Sequence, residues 1–130
     1  MSRTSRTSAA ALTRFPLARA LGLATVAYAV TSLVRPAILT GPTGLGNSRP
    51  ATVLTRAVGV RDAASGAAIA LAPGRRSLQL ALAVRVLSDL GDAAVFGTAG
   101  LPADARRKTL AVSVGWAALN AAALAGLRRA

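Results

Sequence analysis

The chain has 130 residues, with 16 Lys and Arg against 4 acidic residues, and is 53% apolar but only 3% aromatic. It contains no Cys and no His, which excludes disulfides, thiolate or imidazole metal sites, His-held haem, and Ser-His or Cys-His nucleophile pairs. The length suits one domain, and a composition of Ala, Leu, Val and 12 Gly suits close helix–helix contact in lipid better than a ring-filled soluble core.

The net charge of +12 raises nucleic acid or an anionic surface as a partner. The distribution points to the surface. Outside the apolar segments, the bases sit at segment ends, as juxtamembrane charges do.

Residues 1–14 are rich in Ser, Thr, Arg and Ala and hold no acid. They read as a flexible basic tail, with a composition shared by transit peptides and secretory n-regions. Ala27-Tyr28-Ala29 offers a small-x-small cleavage pattern, but the apolar run continues to Val34, longer than a signal core. An uncleaved first helix over about 16–34 is therefore expected, opened by Pro16 and ended by Arg35-Pro36. Arg19, near its start, is expected to snorkel to the headgroups.

Residues 36–50 read as a loop. Gly41-Pro42-Thr43-Gly44-Leu45-Gly46 superficially resembles a phosphate cradle, but lacks the Gly-Lys-Ser/Thr ending and a preceding strand. A second helix is expected over about 51–72, between Pro50 and Pro73-Gly74. The turn holding Arg75 and Arg76 is short enough to send a third helix, about 77–99, back beside the second. Gly100 and Pro102 stop it. The polar stretch 102–108 leads to a fourth helix over about 109–127, in which Ser113, Trp116 and Asn120 share a face.

Four apolar segments of about 20 residues match the hydrocarbon thickness of a bilayer. The expected architecture is an all-α, four-helix transmembrane bundle with up-down topology, occupying 15–130. Both termini then lie on one side. The bases Arg3, Arg6, Arg14, Arg75, Arg76, Arg128 and Arg129 on that side outnumber Arg35, Arg49, Arg106, Arg107 and Lys108 on the other, which favours cytoplasmic termini.

Six ionisable residues interrupt the middle segments: Arg56, Arg61 and Asp62 in the second, and Arg85, Asp89 and Asp92 in the third. A charge at the centre of a membrane helix costs about 2.5–3.5 kcal/mol, so pairing is expected. Counting the helical rise of about 1.5 Å per residue from the 73–77 turn puts Arg61 level with Asp89, Asp62 near Arg85, and Arg56 near Asp92. Arg85, Asp89 and Asp92 line one face at i, i+4, i+7 spacing, and Arg85 and Asp89 can pair within the helix. Gly59 and Gly66 flank Asp62 and leave room for a close backbone approach. Asn120 is the candidate extra hydrogen-bond partner.

On Gly59-x-Arg61-Asp62-x-x-x-Gly66, followed by Arg85-x-x-x-Asp89-x-x-Asp92, the chain resembles a family of small bacterial four-helix integral membrane proteins. That family is catalogued as a domain of unknown function and is distantly like the DoxX-type membrane subunits. The resemblance, over roughly residues 15–127, implies a four-helix membrane bundle with no established activity. DoxX-like proteins are linked with quinone or sulfur redox complexes, but no Cys or cofactor ligand here carries that over.

The expected protein is a multi-pass component of the bacterial cytoplasmic membrane, structural or accessory, without enzymatic activity or cofactor. Its buried Arg/Asp network would lock the second helix to the third. Its partners would be the lipid bilayer and a second copy or a membrane complex, not nucleic acid. Rival readings are a small proton-coupled transporter or pore, a membrane subunit of a redox complex, and a soluble basic helical protein that binds nucleic acid. In the last, Arg56, Arg61 and Arg85 would face solvent as phosphate contacts. The uncharged interiors of the first and fourth segments offer no polar face to water.

Overall fold

A computed structural model describes residues 15–129. The expected tail at 1–14 lies outside the described residues. These are all-helical: α1 (Pro16–Val34), α2 (Ala37–Thr43), α3 (Arg49–Leu71), α4 (Arg75–Thr98) and α5 (Ala103–Arg129). The four long helices agree with the expected ones, α5 starting a turn and a half earlier. The short α2 falls in the stretch expected to be a loop.

Local chemistry sets the boundaries. Pro16 opens α1 at a position that has no partner for a backbone N–H. Ser48 caps α3 by accepting from the Ala51 N–H at 3.3 Å. Pro73 cannot extend α3, and Gly74 starts α4 with its N–H donating to the Ser77 hydroxyl at 3.2 Å. Gly100, at φ 67°, takes the left-handed turn after α4 that a side chain would strain.

Successive long helices run antiparallel. The closest backbone approach is between α1 and α3. A Cβ on Gly66 would lie 2.8 Å from the Gly22 carbonyl oxygen, and one on Gly22 would lie 2.8 Å from the Gly66 carbonyl oxygen. The space expected beside Gly59 and Gly66 is thus filled by α1. Packing of α4 runs mainly along α5, while α3 and α4 approach less intimately and are joined by charged side chains. The α3–α4 hairpin is therefore looser than the α1–α3 and α4–α5 pairs.

The bundle is zoned along its axis. Near the 72–75 turn lies a small apolar core of Ala18, Leu21, Ile69, Leu78, Leu82 and Leu127 with neighbouring alanines. The middle is polar. Along α4, Leu78, Leu82, Arg85 and Asp89 point inward, whereas Leu80, Val84, Leu87 and Val95 point outward.

Arg19 corrects an expectation. It turns into the protein, only 8% exposed. Its Nη1 donates to the carbonyls of Ile69 (3.0 Å) and Ala70 (2.8 Å), and its Nη2 to that of Ala72 (2.7 Å). The last carbonyls of α3 have no partner within their own helix and carry the negative end of its dipole. Arg75 does the same for α5, donating to the Leu127 carbonyl.

Candidate functional site

Five of the six ionisable residues meet between α3 and α4. Arg61 holds Asp92 with two parallel bonds, Nη1 to Oδ1 at 2.8 Å and Nη2 to Oδ2 at 2.6 Å. Arg85 holds Asp89 one turn along its own helix, Nη2 to Oδ1 at 2.6 Å and Nε to Oδ2 at 3.1 Å. Such forks are the strong form of the interaction. Asp62 joins the two pairs through a single oxygen. Its Oδ1 receives Arg61 Nε at 3.1 Å and Nη2 at 2.9 Å, and lies 2.9 Å from Arg85 Nη1. Arg85 Nη1 also donates to the Ser65 hydroxyl at 3.2 Å.

The Asp62–Arg85 and Arg85–Asp89 pairings are those expected from the sequence. Two others differ. Arg61 pairs with Asp92 rather than with Asp89, which belongs to Arg85. Arg56 pairs with nothing among the described residues and is exposed. The reason is azimuth. Five residues of helix turn the chain by about 140° beyond a full circle, so Arg56 lies across α3 from Arg61 even though its height matches Asp92. Without Arg56 the network holds two cations and three anions, a formal charge of −1 where the sequence pointed to zero.

Asn120 also stays out. It is fully buried, but its amide donates to the Trp116 carbonyl at 2.9 Å and its Oδ1 has no partner. Ser113 and Trp116, on the same face, point to a cavity that Asn120 does not reach. Asn120 lies one helical turn beyond Trp116 and is not among the residues that line the cavity.

That cavity, about 80 Å³, is what the sequence did not reveal. It lies between the ion network and the α2 end of the bundle. Asp62, Arg85, Asp89 and Asp92 form its polar wall. Tyr28, Phe96 and Trp116 bring rings from α1, α4 and α5. Residues of α2 and Lys108 stand at its other end. A smaller void of about 10 Å³ adjoins it, shares Tyr28 and Asp62, and is lined by Ser32. No group of three or more acidic side chains among the described residues is arranged to hold a metal ion. Asp62, Asp89 and Asp92 are each already held by a guanidinium.

No family model, no curated protein and no solved structure matches this chain.

Proposed function

We propose that this is a multi-pass integral membrane protein, a structural or accessory component of the bacterial cytoplasmic membrane whose Arg/Asp network fixes α3 against α4. One observation carries the reading: the polarity of the bundle is inverted. Asp62, Arg85, Asp89 and Asn120 are buried, while Leu23, Val60, Leu71, Leu80, Leu87 and Val95 are exposed on all sides. Water would penalise so much contiguous apolar surface, whereas hydrocarbon favours it and drives ions into the interior.

Two helices, α1 and α5, are long and apolar enough to cross a membrane. α3 and α4 each carry three ionisable residues in their interiors, and five of the six enter lipid joined as ion pairs with one carboxylate in excess. Arg56 stands about 10 Å from Arg49 along α3, close enough to the end for its long side chain to reach headgroups. With four crossings, the bias of bases favours cytoplasmic termini.

Alkaline carbonate extraction of membranes tests the reading. The protein stays in the pellet if the bundle is integral. Release into the supernatant refutes it and revives the soluble nucleic-acid binder.

A second reading, a small transporter or pore, draws on the cavity beside the carboxylates. It predicts that Asp89→Asn abolishes a proton or solute flux in a bundle that stays folded. The structural role predicts lower stability for the same change, with no flux to lose.

A further inference from the structure

We propose that the cavity above the ion network is a binding site for a small organic ammonium ion, with Asp62 as its counter-ion. Binding needs the bundle geometry rather than any particular environment around it, and goes beyond the structural role of the network.

Three independent features converge. The first is charge. Arg61 and Arg85 are spent on forked pairs with Asp92 and Asp89. Asp62 is the third anion, and all its contacts fall on Oδ1. Its Oδ2 has no protein donor although the residue is more than nine-tenths buried and lines the cavity. Asp62 therefore presents to the cavity a carboxylate whose donors all converge on one oxygen.

The second feature is the aromatic lining. The whole chain has one Trp, one Tyr and two Phe, and three of these four rings, Tyr28, Phe96 and Trp116, line this one cavity. Rings from three helices beside an excess carboxylate are what a desolvated ammonium requires. A bare metal ion would want more oxygen ligands than are left over.

The third is an unsatisfied hydroxyl. Ser32 is 2% exposed and its Oγ has no partner at ordinary hydrogen-bond distance, the Tyr28 hydroxyl being a more distant neighbour, and it lines the small void that shares Tyr28 and Asp62 with the main cavity. It offers an acceptor to an N–H, or to a water carried in with the ligand.

Size limits the ligand. A cavity of 150 Å³ accepts benzene, so about 80 Å³ suits an ammonium bearing one to a few methyl groups. An anion has no guanidinium left to bind it. Lys108 also lines the cavity and has no ion-pair partner among the described residues, so its ammonium competes for the same carboxylate.

The test uses the full chain purified in mild detergent and titrated with methylammonium and dimethylammonium chlorides at constant ionic strength, with sodium chloride as control. Trp116, the chain's one tryptophan, reports occupancy by fluorescence, and calorimetry reports it independently. Saturable binding of at least one organic ammonium, with sodium inert, is the result expected. Asp62→Asn should weaken it about tenfold or more. Phe96→Leu, which leaves every charge in place, should weaken it roughly three- to thirty-fold. Lys108→Gln should tighten it. Phe96→Leu decides the matter should Asp62→Asn fail to fold. No saturable signal by either method, an equal response to sodium, or a response that Phe96→Leu leaves unchanged overturns the proposal.

Discussion

Arg85→Met probes the network where it is most enclosed. The side chains of Arg85 and Asp89 are 5% and 3% accessible. The substitution removes both hydrogen bonds to Asp89, the contact with Asp62 and the link to Ser65. Asp62 keeps its two bonds from Arg61, but Asp89 keeps no donor. Stranding one buried carboxylate in this way costs about 3–5 kcal/mol. Adding Asp89→Leu removes the stranded ion, and the double variant should recover to within about 1 kcal/mol of the parent or exceed it, because an apolar pair of similar volume replaces a buried ion pair at little net loss. The coupling between the two changes is then at least about 2 kcal/mol. Reversible unfolding in mixed micelles, followed by Trp116 fluorescence and helical circular dichroism, measures it. A double variant as unstable as Arg85→Met refutes the reasoning, since Asp89 would then not be the group that Arg85 neutralises.

The α1–α3 contact predicts a contrast between two glycines. Gly66→Ala sets a Cβ 2.8 Å from a backbone oxygen of α1 and should destabilise by about 1–3 kcal/mol. Gly91→Ala meets nothing within 4 Å and should be neutral or stabilise by up to about 1 kcal/mol; the same unfolding assay ranks them. Arg19→Ala removes three charge-assisted bonds to the end of α3 and should cost about 2–3 kcal/mol, visible as faster hydrogen exchange in residues 66–71. Arg56→Ala should move stability by no more than about 0.5 kcal/mol, whereas Arg61→Ala, which strands Asp92, should lower it clearly. Equal effects at positions 56 and 61 would contradict the assignment of Arg56 to the outer face.

Much of this architecture was legible because Pro and Gly punctuate it. Pro16, Pro36, Pro50, Pro73 and Pro102 bracket the long helices, and periodicity supplied the inward face of α4. Height along the axis could also be counted, which found the Asp62–Arg85 pair. Azimuth could not be fixed for α3, whose consecutive Arg61 and Asp62 leave its orientation open, so Arg56 was wrongly paired. Seven residues with Pro42 among them are too few to show a period, so α2 was invisible. The roles of Arg19 and Arg75 depend on which helix ends lie beside them. That is tertiary information, although an Arg in the first turn of a helix preceded or followed by an antiparallel neighbour is a signal that could be sought. The cavity had a trace in the sequence as well. Tyr28, Phe96 and Trp116 are rare residues in this chain; Phe96 and Trp116 are half-buried, while Tyr28 reaches the cavity from an exposed position.

The central claim, that hydrocarbon surrounds an inverted bundle, is most directly tested by cysteine accessibility, since the chain has no cysteine of its own. Leu87→Cys places a thiol on the outward face of α4 at a residue 69% exposed, and Arg76→Cys places one at the exposed start of the same helix. In opened membrane vesicles a charged maleimide should label the Arg76→Cys protein rapidly and leave the Leu87→Cys protein unmodified until detergent is added and the chain is unfolded. Labelling of Leu87→Cys at the rate of Arg76→Cys in intact membranes would put water where the account puts lipid, and would contradict it.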